Sequence, residues 1–190
     1  NHRYHLTGAV QGEDRTVPLV LEPGEAAVIA FESGEESGLE EYQPRPQGGH
    51  PLEGGWAVYA RDVQGGEEIG LHACGGSAAF PDTTDWVAEH EFCGSLIYET
   101  EVSSGQYTAG DYYLRLYGSL DCAEVFVNGL SAARLVGSPL CAKINLGEGE
   151  NRIRMELPLT PVWRVGDDWS ALTVLPRLGL TEKPTLIPAE

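Results

Sequence analysis

The sequence is short of positive charge. Twelve Lys and Arg stand against 29 Asp and Glu in 190 residues, a formal net charge of −17 at pH 7. A surface this acidic repels phosphate backbones and anionic headgroups, which argues against nucleic acid and membrane surfaces as partners. Long apolar runs are lacking too: none approaches the ~18 residues of a membrane span. Hydrophobic residues still make up 42% of the chain, too many for a disordered polymer. No basic, apolar leader opens the chain, which begins at Asn1 and not at Met. It reads as a piece of a longer protein or as a processed one. The length fits one domain, or one domain with a fragment of a neighbour.

Signatures of metal and nucleophile chemistry are also missing. Cys74, Cys93, Cys122 and Cys141 are widely spaced and form no Cys-x-x-Cys pair, so neither a zinc ribbon nor a thioredoxin-type site is supported. An even count permits two disulfides, while the usual burial of cysteine agrees with free thiols in a core. His2, His5, His50, His72 and His90 are scattered, with no His-x-x-x-His. No Gly-x-Ser-x-Gly elbow is present. Nor does any stretch hold a helical 3.6-residue period.

What is present is alternation. In Ser95–Val102, Leu96, Tyr98, Thr100 and Val102 take one face, and Ile97, Glu99 and Glu101 the other. Tyr112–Gly118 sets Leu114 and Leu116 opposite Tyr113, Arg115 and Tyr117. Ala123–Val127 points Ala123, Val125 and Val127 inward; Asn151–Leu157 does the same with Ile153, Met155 and Leu157. One apolar and one polar face per strand is the pattern of antiparallel sheets with a single buried side. Asn128-Gly129 between two extended runs predicts a hairpin, because a type I′ turn needs positive φ at both positions. Gly147–Glu150 makes a second tight link.

The beginning of the chain differs. Thr16–Leu21 and Ala26–Phe31 read as two strands around a Pro-Gly turn. Glu32–Glu41 and Gln43–Gly49 follow, acidic and rich in Gly and Pro, as a linker would be. Residues 1–42 are therefore expected to be the closing strands of a preceding β-domain plus an acidic linker, and residues 43–190 a β-sandwich. Residues 1–68 carry thirteen acids and four arginines, so much of the excess negative charge lies in the linker and its surroundings.

Three segments carry a family resemblance. Phe92-Cys-Gly-Ser-Leu-Ile-Tyr-Glu99 resembles the opening strand of accessory β-sandwiches in large glycoside hydrolases. Asp111–Gly118 followed by Asp121-Cys-Ala-Glu-Val-Phe-Val-Asn-Gly129 resembles the core of galactose-binding-like jelly rolls. These include the sugar-binding domain of family-two glycoside hydrolases and related domains of rhamnosidase-type enzymes. Leu146–Arg154 is similar to the strand that follows in that family, and Leu178-Gly-Leu180 to its closing strand. Gly137–Cys141 lacks the aromatic pair common there, so no ligand contact is carried over to it. The resemblance implies an all-β, antiparallel jelly-roll β-sandwich of galactose-binding-domain-like type with an N-terminal β-segment. It also implies a non-catalytic accessory domain, carbohydrate-binding, from the C-terminal part of a larger glycoside hydrolase. Its partners would be a glycan or the rest of its own parent enzyme. The alternative is a structural interaction module with no sugar affinity.

Two loops stand out as sites. In Trp163-Arg-Val-Gly-Asp-Asp-Trp169, indole rings can stack on the C–H faces of a sugar while Arg164, Asp167 and Asp168 bond its hydroxyls. The competing reading is a loop pinned by two buried tryptophans. In Pro81–Trp86, Asp82 and Asp85 could supply oxygens to a structural calcium of the kind this fold carries, or form an Asx-turn leading into a Trp anchor. Asn128 likewise has two readings, a polar group offered to a sugar or a turn residue. Glycosidase chemistry needs two carboxylates across a cleft, and nothing in the pattern singles out such a pair, so catalysis is not expected of this chain.

Overall fold

The computed structural model describes residues 9–11, 14–16, 19, 21, 26–30, 48–74, 80–103, 105–137, 140–161 and 177–189. The chain divides into two units, Asn1–Gln47 and Gly48–Glu190.

In the first unit, β1 (Ala9–Gln11) pairs with β2 (Asp14–Thr16) as an antiparallel ribbon. The strands expected over 16–21 and 26–31 are not seen in the described residues. Leu19, Leu21 and residues 26–30 take no regular structure. Val28 is 97% exposed. Alternation makes a strand only where a partner ladder and a buried face exist; Leu21 and residues 26–30 are exposed and Leu19 is half-buried.

The second unit is a two-sheet sandwich. Its elements are β3 (His50–Pro51), β4 (Trp56–Asp62), β5 (Ile69–Cys74), α1 (Thr84–Glu89), β6 (Gly94–Val102), β7 (Gly110–Ser119), β8 (Cys122–Val127), β9 (Leu130–Val136), β10 (Cys141–Leu146), β11 (Asn151–Pro158) and β12 (Gly179–Pro188). One sheet has the order β10-β7-β12-β3 and the other β5-β4-β6-β11-β8-β9. Every pairing is antiparallel. From β6 to β12 the chain crosses repeatedly between the sheets, the connectivity of an all-β jelly-roll sandwich.

The alternating residues fill the space between the sheets. Leu96, Tyr98 and Val102 meet Ile153, Met155 and Leu157 from one side and Leu114, Leu116, Ile144, Leu146 and Leu180 from the other. Trp56, Phe80 and Tyr98 stack edge to face, with ring centroids 5.2 and 5.1 Å apart. Such burial of apolar surface is the main stabilising term of a sandwich. Cys93 and Cys122 are free thiols; Cys93 is buried, and Cys122 and Cys141 are half-buried.

Asn128 and Gly129 adopt φ of +52° and +80°, the doubly positive turn that their sequence predicts. The Asn128 side chain bridges to the next turn. Its Nδ2 donates to Asn151 Oδ1 at 3.0 Å, and its Oδ1 accepts from Arg152 N at 2.8 Å. Asn151 Oδ1 in turn accepts from Gly147 N, which joins the β8–β9 and β10–β11 turns. This residue is a turn device, one amide N–H and the amide oxygen holding the turn.

Candidate functional site at one end of the sandwich

Antiparallel register brings Asp62 beside Gly94 and Pro158 beside Ser95. The C-terminal ends of β4 and β11 therefore meet the start of β6. A groove of about 280 Å³ opens there, lined by Arg61, Asp62, Val63, Gly65, Cys93, Gly94, Ser95, Pro158 and Leu159. Gly94 is required at its floor, because a Cβ at that position would collide with the Arg61 carbonyl. This is the physical reason for the glycine of the Phe92-Cys-Gly94 motif.

Hydrogen bonds also fix the residues that flank 162–176 in the sequence. Leu159 N donates to Gly94 O at 2.8 Å. On the far side Arg177 Nη2 donates to Phe80 O at 2.5 Å, and Leu178 N to Thr84 Oγ1 at 3.0 Å. Trp163, Arg164, Asp167, Asp168 and Trp169 lie outside the described residues.

Asp82 Oδ1 accepts from Thr84 N at 2.9 Å, an Asx-turn that opens α1. Hydrogen bonds from Thr84 and the guanidinium of Arg177, 3.5 Å away, hold its carboxyl below the ordinary range. Asp85 sits in the first turn of α1. Among the described residues, no group of three or more His, Cys, Asp or Glu is placed to hold a metal ion. The six-residue α1 has too few turns for a 3.6-residue period to show, which is why it is not legible in the sequence. Trp86 on α1 is stacked by His90 at 4.5 Å and tilted against Phe92 at 5.3 Å, and Trp56 is 2% exposed. Trp56 is thus buried, and Trp86 is half-buried with His90 stacked on its ring.

Next to the groove, the outer face of the six-stranded sheet carries a charge lattice that pattern reading misses. Arg154 Nη1 donates to Glu99 Oε1 at 2.8 Å, and its Nη2 to Glu68 Oε1 at 2.5 Å and Glu156 Oε1 at 2.7 Å. Arg152 Nη2 donates to Glu99 Oε2 at 2.5 Å. Arg61 donates to Glu156 and lies 3.6 Å from Glu68. Three guanidinium groups and three carboxylates thus neutralise one another over Ile97, which is fully buried on this outer face. The signal was available: Arg-x-Arg-x-Glu on β11 faces Glu99 and Glu101 on β6.

Burial alone would push the Glu99 carboxyl up, but hydrogen bonds from Arg152 and Arg154 hold it below the ordinary range. Glu68 is held down chiefly by its Arg154 hydrogen bond. Asp111 and Glu124 are lowered too, by Lys143 and Arg134. All these groups are kept as carboxylates, the opposite of what a general acid needs.

No family model matches the chain, and no curated protein does. Among solved structures, the chain is similar to a rhamnosidase from Novosphingobium sp. PP1Y, with a TM-score of 0.55 and 20% identity, over 79% of this chain and 16% of that one. It also aligns with a GH2 β-galacturonidase from Eisenbergiella tayi bound to galacturonate, at a TM-score of 0.46 and 15% identity, over 72% and 23%. A third match is the β-glucuronidase of Bifidobacterium dentium complexed with coumarin-3-O-glucuronide, at 0.41 and 18%, over 60% and 21%. The chain spans 16 to 23% of the length of these structures. The rhamnosidase likeness is one of fold, and the sequence motifs point to the same kind of sandwich: this chain has the β-sandwich fold of a segment of a glycoside hydrolase.

Proposed function

We propose that this chain is a non-catalytic accessory domain of a larger glycoside hydrolase, with a carbohydrate contact at the end of the sandwich that carries the groove. The observation behind this reading is a sandwich with its own core that corresponds to only 16% of a rhamnosidase. The carboxylates held down by arginine or lysine partners support the non-catalytic part.

The proposed sugar contacts are Trp163, Arg164, Asp167, Asp168 and Trp169. They begin four residues beyond Leu159, a groove residue. With Trp56 buried and Trp86 stacked by His90, the indoles of Trp163 and Trp169 are the stacking surfaces we assign to a pyranose ring. Residues 1–42 fit the closing strands of a preceding β-domain plus its linker, a reading supported by the β1–β2 pair and the unit boundary at Gln47.

The test is calorimetric titration of the chain with mono- and oligosaccharides, alongside hydrolysis assays on aryl glycosides. Binding without hydrolysis is the expected result. A structural module without sugar affinity is the second reading, favoured by the lattice of Arg61, Glu68, Glu99, Arg152, Arg154 and Glu156, whose members already satisfy one another.

A further inference from the structure

We propose that Asn128-Gly129 is a site of spontaneous deamidation, restrained by the bridge between the β8–β9 and β10–β11 turns and able to break that bridge once it occurs. The site lies at the end of the sandwich opposite the groove, since β11 starts at Asn151 and ends at Pro158, which lines the groove. It is independent of the carbohydrate reading.

Of the four asparagines in the chain, only Asn128 precedes a glycine, and no aspartate does. Glycine carries no side chain to shield its amide nitrogen. Asn128 and Gly129 are both exposed, and a Cβ built at Gly129 would meet nothing within 4 Å. The chemistry needs only water and hydroxide. The Gly129 nitrogen gives its proton to hydroxide and attacks Asn128 Cγ. A C–N bond forms and closes a succinimide ring, the Cγ–Nδ2 bond breaks, and ammonia leaves with a proton taken from water. Water then opens the ring. Cleavage between Cγ and the Gly129 nitrogen gives aspartate; cleavage between the main-chain carbonyl carbon and that nitrogen gives isoaspartate. The net exchange is one water for one ammonia.

The fold restrains the first step. Asn128 Oδ1 accepts from Arg152 N at 2.8 Å, its Nδ2 donates to Asn151 Oδ1 at 3.0 Å, and its main-chain N donates to Arg152 O at 2.8 Å. An amide held at both ends on β11 is not free to turn onto the Gly129 nitrogen. Cyclisation waits for a local opening that breaks both side-chain bonds.

The product cannot rebuild the bridge. Asn151 is fixed in orientation, because its Oδ1 accepts from Gly147 N and its Nδ2 donates to Gly147 O, each at 2.9 Å. It presents an acceptor to residue 128 and needs a donor there. Aspartate puts a carboxylate oxygen in the place of Nδ2, acceptor against acceptor. Isoaspartate also adds a methylene to the main chain of a turn built at φ of +52° and +80°.

The experiment is incubation of the full chain at mildly alkaline pH, in buffer and in guanidinium chloride, with product at residue 128 counted by peptide mass spectrometry. Asn151→Ala is incubated in buffer alongside, its folding checked by circular dichroism. Wild type in buffer should accumulate product about tenfold or more slowly than in guanidinium chloride, since both amide bonds must open first. Asn151→Ala should fall between the two. Equal wild-type rates in the two solvents overturn the proposal, as does a buffer sample without product at residue 128 when the unfolded sample is fully converted. An Asn151→Ala rate equal to that of wild type in buffer overturns the restraint. Asn128→Asp reads the consequence and should unfold at lower urea than wild type at neutral pH; an equal midpoint overturns the loss of the bridge.

Discussion

Replacing Asn128 separates a turn's backbone conformation from its hydrogen bonds. Asn128→Gly keeps the left-handed backbone but removes the bonds to Asn151 and Arg152. Each is worth about 0.5–1.5 kcal/mol, toward the low end at an exposed turn, so the expected loss is about 1–2 kcal/mol. Asn128→Ala loses the same bonds and also forces a Cβ into φ of +52°, which adds roughly 1–2 kcal/mol. The alanine variant should therefore fall about 2–4 kcal/mol below wild type. Urea unfolding followed by circular dichroism measures both. Melting should drop by roughly 4 °C per kcal/mol for a unit of this size. Equal stability of the two variants would refute the backbone argument. A glycine variant as stable as wild type would refute the hydrogen-bond argument. Sugar binding, where measured, should be the same in Asn128→Gly and wild type.

Arg154→Met keeps the side-chain stem but strips Glu99, Glu68 and Glu156 of a shared partner; a loss of about 2 kcal/mol is expected from urea midpoints. Ile153→Ala empties a fully buried position and should cost about 2–5 kcal/mol by the same assay. Glu68 and Glu99 have folded-state affinities for protons below the ordinary 4.5. Protonation thus favours the unfolded chain, and their contribution is complete above about pH 4.5 and lost as pH falls toward the depressed values. Melting curves from pH 7 to pH 3 should show this fall, and Glu99→Gln should flatten it.

The sandwich strands were legible because each has one buried face, so a period of two survives in Leu96–Val102, Ala123–Val127 and Ile153–Leu157. The Asn128-Gly129 hairpin was legible because few residues tolerate its geometry. Less was visible where stability comes from partners distant in the chain. Ile97 alternates onto the polar face yet is fully buried, because charged chains from β4, β5's loop and β11 close over it. Glu68 and Arg154 are 86 residues apart, and no local pattern links them. The groove follows from register at three strand ends, which sequence spacing does not encode. In the first unit, Ala26–Phe31 had the right composition for a strand, but residues 26–30 join no ladder among the described residues.

The central claim is that one end of this sandwich contacts carbohydrate without cleaving it. Isothermal titration of the full chain with a panel of mono- and oligosaccharides, repeated with Trp163→Ala and Trp169→Ala, tests it most directly. The account predicts measurable binding of at least one sugar at millimolar concentration, weakened about tenfold or more by either substitution, as expected for loss of a stacking ring worth ~1.4 kcal/mol. Absence of binding to every sugar, or binding indifferent to both tryptophans, would contradict it.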